Sequence, residues 1–149
     1  MANERSFKKP GTKLTELQEA WPDRLQDSRI LFDGAQYGSA IAAGLYALEI
    51  LLKVLICKRL DLNALPKAFE IHDLDQLVIL TGLSRQIEAV VVEPSEVQVN
   101  WNAILTFSAQ LTNIRYTGSQ TWSREQAEDF LGRLSGAEGG VISWFQSKI

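Results

Sequence analysis

The chain has one cysteine, one histidine, one methionine and only four prolines in 149 residues. A single thiol, Cys57, cannot close an internal disulfide, so a hydrophobic core must hold the fold, and the expected setting is a reducing compartment, the cytoplasm. One histidine, His72, and one cysteine far from it do not make a zinc-ligand set. No P-loop is present, because Gly136, Gly139 and Gly140 lack the Lys-Ser/Thr ending that holds phosphates. No metal or cofactor is therefore expected. Charge of one sign is also scarce: the formal net charge is −3, so the chain as a whole is no electrostatic footprint for nucleic acid. Residues 1–13 have no apolar core and are not a secretory signal; polar, with Lys8, Lys9 and Lys13, they are expected to form a flexible arm ahead of one domain over residues 14–149.

One long apolar run is present, over residues 40–57. It would suit a membrane span in length, but Glu49 and Lys53 sit in its middle, where charge is costly in lipid. A helix apolar on nearly all sides is better read as the central buried helix of a bundle, and no membrane partner is expected.

Helical periodicity accounts for most of the rest. The first helix is expected over residues 15–35, with Leu17, Trp21, Leu25, Ser28 and Phe32 on one face and a kink or restart at Pro22. Ser39 is a candidate N-cap for a second helix reaching residue 60, on which Glu49 and Lys53, spaced i,i+4 with the carboxylate first, mark the strip that leaves the core. A connection containing Pro66 leads to a third helix starting at His72 or Asp73 and ending at Gly82. Residues 89–92 are a short β-prone run. A fourth helix is expected from residues 95–97 to 113, with Trp101, Ile104, Leu105, Ser108 and Leu111 facing inward. Ser123 and Gln126 form a capping box for a fifth, whose face runs through Phe130, Leu134, Ile142 and Phe145, with a bend or break at the glycines of residues 136–140. The expected fold is all-α, an antiparallel bundle of about five helices.

Several short motifs occur in a telling order. Gly-x-x-Tyr-Gly-Ser-Ala at residues 34–40 leads into a helix that ends Ala47-Leu48-Glu49-Ile50-Leu51-Leu52-Lys53. Leu65-Pro66-Lys67 follows, then His72-Asp73-Leu74-Asp75-Gln76-Leu77. This pattern resembles the HEPN domains of prokaryotes, with their A-x-E-x-x-L-K helix and following His-x-Leu-x-x-Leu element. Arg115-Tyr116 and the final helix with Trp144 are similar to one subset of that family, although Thr117 stands where that subset has Pro. The resemblance spans residues 22–145, most of the chain. It implies a HEPN-like bundle, similar to nucleotidyltransferase substrate-binding subunits, that forms a homodimer. It also implies the family's settings: partnership with minimal nucleotidyltransferases in toxin–antitoxin pairs, abortive-infection defence, ribonuclease activity, or nucleotide and RNA binding without catalysis.

Ribonuclease members carry an arginine and a histidine on one helix with roughly four to six residues between them, because metal-free RNA cleavage needs a base for the 2′-hydroxyl and a cation for the phosphorane. No histidine follows Arg115, and no arginine stands at the family's distance before His72. Lys67 is five positions before His72, but Pro66 and a loop intervene, and lysine is a poor substitute for a guanidinium fork. The expectation is a non-catalytic or degenerate member acting as a protein-interaction or nucleotide/RNA-binding module, with an endoribonuclease using His72 as the alternative. The bet for a ligand site is Arg115 and Tyr116 with Lys53 and His72, in a region where Trp122 and Arg124 add a further aromatic and cation. Arg115 is also a candidate partner for Glu49. The acidic pairs Asp73/Asp75 and Glu125/Glu128/Asp129 suit helix starts, and Cys57 reads as a small core residue.

Overall fold

The computed structural model describes residues 10–88, 93–111 and 121–149. The β-prone run at 89–92, the expected end of the fourth helix, and Arg115 and Tyr116 lie outside the described residues.

The fold is an all-α bundle with seven helices among the described residues and one small ribbon. Helix α1, Leu14–Asp33, runs unbroken through Pro22, without the expected restart. The proline forfeits one backbone bond, but burial of Leu17, Leu25 and Ser28 on the α1 face holds the turns on either side. The turn after α1 puts Ala35, not Gly34, in the left-handed region, with φ 60°. Helix α2, Tyr37–Arg59, then starts two residues before Ser39, with Gln36 at the N-cap position. Ser28 Oγ donates to the Ala40 carbonyl at 2.5 Å; the two residues are equidistant from Gly34, which fixes α1 and α2 as an antiparallel hairpin.

Helix α2 is the axis of the molecule. It packs against α1, α3, α5, α6 and α7. Its length and composition would allow it to cross a membrane, yet 78% of its most apolar window is buried by the other elements. Leu48, Leu51, Leu52, Leu55 and Ile56 are wholly enclosed, and each such side chain contributes about 1.5–3 kcal/mol through removal from water.

Pro10–Lys13, the last residues of the expected arm, form strand β1, which pairs antiparallel with β2, Ala64–Pro66. Alternation of side chains could not reveal strands this short. A second tether backs the ribbon. Thr12 donates to Glu70 Oε1 from its amide (3.0 Å) and its hydroxyl (3.2 Å). Gly11 permits this approach, since a Cβ there would stand 2.7 Å from the Leu65 carbonyl oxygen. The Thr12 amide, foremost, holds the Glu70 carboxyl below its ordinary pKa, with Lys67 nearby assisting.

After a 3-10 turn at Lys67–Phe69 comes α3, Leu74–Thr81. Asp73 caps it by accepting from the amides of Asp75 (2.9 Å) and Gln76 (3.3 Å), and Gly82, at φ 78°, closes it. A single further turn, α4 (Ser84–Ile87), seats Ile87 in the core. Helix α5 covers Glu96–Leu111. The capping box at Ser123 and Gln126 starts α6, Arg124–Ser135. The chain breaks at residues 136–140 before α7, Val141–Gln146. The break is pinned by Asn100, which donates to the Gly139 carbonyl (2.9 Å) and accepts from Arg133 (3.0 Å). The fifth expected helix is thus two, and with α4 the count rises from about five to seven.

Where α2 meets α6 there is no spare room. A Cβ on Gly44 would lie 2.6 Å from the Phe130 ring and 3.0 Å from a Leu134 methyl, both fully buried, whereas one on Gly132 would meet nothing within 4 Å. Gly44→Val is expected to destabilise by about 2 kcal/mol, lowering Tm by about 4–8 °C, while Gly132→Ala raises stability by up to about 1 kcal/mol. Thermal unfolding of the two variants checks this, and the opposite order would show that the helices can part at Gly44. The Glu70 tether makes a pH prediction. Its carboxyl takes up a proton less readily folded than unfolded, so the tether adds stability above the ordinary value near pH 4.3 and gives it up as the pH falls through the depressed one. Protection of the Thr12 amide from hydrogen exchange should fall over that range, and should be weak and flat with pH in Glu70→Gln.

Candidate functional site

A cleft of about 520 Å³ opens between α2, the start of α3 and the second half of α5. Its floor is apolar, with Leu45 and Leu74 beneath and Leu105 on the α5 side. Its rim carries Tyr46, Glu49, His72, Asp73 and Asp75. Helix α2 lines the opening with Ala42, Leu45, Tyr46 and Glu49; Ala42, Tyr46 and Glu49 continue at helical spacing from the exposed Ser39 along one side of the helix.

Glu49 anchors the site. Its Oε2 accepts from Lys53 Nζ at 3.0 Å and lies 3.1 Å from His72 Nδ1. The side chains of Lys53 and Glu49 are only 9% and 13% exposed, so this is an enclosed ion pair and not the solvent-facing strip expected from the spacing. A lysine so enclosed needs its counter-charge: without it the ammonium would be desolvated and unpaired. The Asp73 cap positions His72. By fixing the entry into α3, it sets the preceding residue over α2, where the imidazole, 84% exposed, reaches the carboxylate. In the tautomer in which Nδ1 donates to the Glu49 carboxylate, Nε2 of a neutral ring is left as an acceptor.

Lys53 and His72 come together, joined by Glu49, while Arg115 and Tyr116 lie outside the described residues. Trp122 is buried, stacked at a tilt 5.8 Å from Phe107, which in turn meets Phe130 edge-on at 5.3 Å; it is an end of the core. Its Nε1 finds no hydrogen-bond partner among the described residues. Arg124 sits over the Phe32 ring at 5.3 Å. Cys57 is enclosed on α2, and burial pushes its thiol up, the opposite of what a nucleophile needs. Among the described residues no group of three or more His, Cys, Asp or Glu side chains is arranged to hold a metal ion.

Sequence reasoning missed Tyr46 and the role of Asp73 and Asp75 in the cleft. A signal for Tyr46 existed: it stands at helical spacing with Ser39, Ala42 and Glu49 on one side of a mostly apolar helix. Nothing local could show that α3 and α5 leave that strip open.

The cleft is acidic. Among the described lining residues there are three carboxylates and no lysine or arginine. With Lys53 offsetting Glu49, Asp73 and Asp75 set its charge. Compared with protein-family models, curated proteins and solved structures, the chain matches none.

The enclosed pair makes a clear prediction. Glu49→Leu strands Lys53 and should cost about 3 kcal/mol or more, whereas Glu49→Leu with Lys53→Met should return most of that loss. His72→Ala, at an exposed position, should stay within about 0.5 kcal/mol of the parent. Denaturant unfolding of the three variants decides; equal losses for the single and double variants would mean that the pair is not coupled.

Proposed function

We propose that this chain is a HEPN-like bundle without turnover of its own, acting in the cytoplasm as a protein-interaction module, paired as a homodimer and partnered with a protein such as a minimal nucleotidyltransferase. The observation that carries the reading is the meeting of Glu49, Lys53 and His72 at one carboxylate oxygen, because the two elements on which the HEPN resemblance rests are then a single structural unit. The all-α bundle agrees with the helical bundle that the resemblance implies. Within the reading, a protein ligand is favoured over a nucleotide or RNA, since phosphate brought to this cleft would face Asp73 and Asp75 with Lys53 already committed to Glu49.

One observation favours the endoribonuclease alternative. His72 held through Nδ1 by a carboxylate, with Nε2 free to accept at an open cleft, has the orientation of a general base. Against it, the cleft's described lining supplies no cation for a phosphorane.

The test is purification of the tagged protein from its native host, scoring protein and nucleic acid together, with metal-free RNA cleavage assayed on the same material. A single protein at equal stoichiometry, and no cleavage, is the expected result. A nuclease-sensitive RNA or bound nucleotide without a protein would overturn the interaction reading, and cleavage abolished in His72→Ala would replace it with the ribonuclease.

A further inference from the structure

The acidic cleft does not end at Tyr46. A second groove of about 450 Å³ lies between α1 and α2, lined by Ile30, Leu31, Ser39, Ala42, Ala43 and Tyr46 with Arg24 and Asp27 at its edge. Ala42 and Tyr46 line both openings, so the two adjoin along α2 as a trough in two halves with the exposed Tyr46 ring between them. The α2 strip beneath it, from Ser39 to Glu49, is about 15 Å long at 1.5 Å per residue. The trough has two chemically distinct halves. At the α1 end, Ile30 is 58% exposed and Tyr46 51%, and Arg24 and Asp27 neutralise one another at 2.8 Å. At the α3 end stand Glu49, offset by Lys53, then Asp73 and Asp75 without a compensating cation in the described lining. The small side chains of Ser39, Ala42 and Ala43 let a backbone approach the middle closely.

Resting on the interaction reading above, we propose that this trough takes one amphipathic helical segment of a protein partner, about three turns long, with aliphatic residues at the Ile30–Tyr46 end and arginine or lysine at the Asp73–Asp75 end. The length of the strip sets the length of the segment. Its apolar half covers two exposed hydrophobic side chains, as a helix in a groove does. Its basic half supplies the charge that the rim lacks, which fixes the direction in which it lies as well as its affinity. The Tyr46 ring, between the halves, offers an aliphatic contact on one side and a face for a cation on the other.

The proposal is tested with a displayed library of twelve-residue amphipathic peptides selected on the full chain, the selected sequences then being titrated by fluorescence anisotropy. Selected peptides should carry their basic residues at one end and their aliphatic residues at the other. Binding should weaken about tenfold in the double variant Asp73→Asn/Asp75→Asn and in Ile30→Ser. Asparagine keeps the α3 cap, so an unchanged Tm in the double variant separates charge from folding. A peptide with glutamate in place of its basic residues should gain affinity for Asp75→Lys, which a structural role for Asp75 would not produce. Failure to select any peptide, peptides without basic residues, or equal binding by the variants would overturn the proposal. The same double variant distinguishes the two readings. A host protein retained by it at full stoichiometry sinks the trough and leaves the interaction function standing, whereas peptide selection with no host protein partner sinks the function and leaves the trough.

Discussion

A helix buried on nearly every side cannot carry an isolated charge, and the buried stretch of α2, ahead of the exposed Lys58 and Arg59 of its last turn, carries two. Lys53 lies within the bundle, and its ammonium is tolerable there only because Glu49, one turn earlier, presents a carboxylate oxygen at 3.0 Å. That requirement propagates outward. Glu49 must sit at the edge of the core to be partly hydrated, so the α2 strip containing it must remain open, and the neighbouring helices must leave a cleft there. The start of α3 uses the same oxygen: His72 rests on it, set in place by the Asp73 cap. One carboxylate thus balances a buried cation, orients the sole histidine and defines the rim of the cleft.

The buried faces of α2 are lined almost wholly by apolar side chains. Gly44 allows the Phe130 ring and Leu134 to reach the helix backbone, and the fully buried leucines on its other faces receive α1, α3, α5 and α7. The periphery is fastened by polar contacts at points where helices stop. Asn100 holds the break between α6 and α7 from across the bundle, and Glu70 holds the β1 strand at its threonine amide. Glu70 is only partly shielded, whereas the buried Asn100 offsets its desolvation by pairing both its amide nitrogen and its oxygen.

What the cleft can recognise follows from the same arrangement. Because Lys53 is consumed in neutralising Glu49, the charge left on the described lining of the cleft is negative, although the chain contains 15 lysines and arginines against 18 acids. The local balance, and not the overall −3, decides the chemistry of a ligand. It argues for a basic occupant and against a phosphate.

Much of the architecture was legible along the chain. The helical class, the central position of α2, the Asp73 and Gly82 ends of α3, the Ser123–Gln126 box and the break at residues 136–140 all follow from groups within a few positions of one another, where backbone geometry alone decides the contact. Packing overrode local preferences in two places: Pro22 stays inside α1 without a restart because the buried face holds the helix together, and α2 begins ahead of the attractive cap at Ser39. Sequence patterns are blind where partners are distant. The sequence determined by itself that Glu49 and Lys53 would share a helix face, because i and i+4 coincide on any helix. Only the tertiary structure decided that His72 would join them from 23 positions away, that Pro10–Lys13 would pair with Ala64–Pro66, and that Tyr46 would border an acidic trough. Those contacts depend on which apolar faces meet, and apolar faces, held by a non-directional force, do not name their partners in sequence.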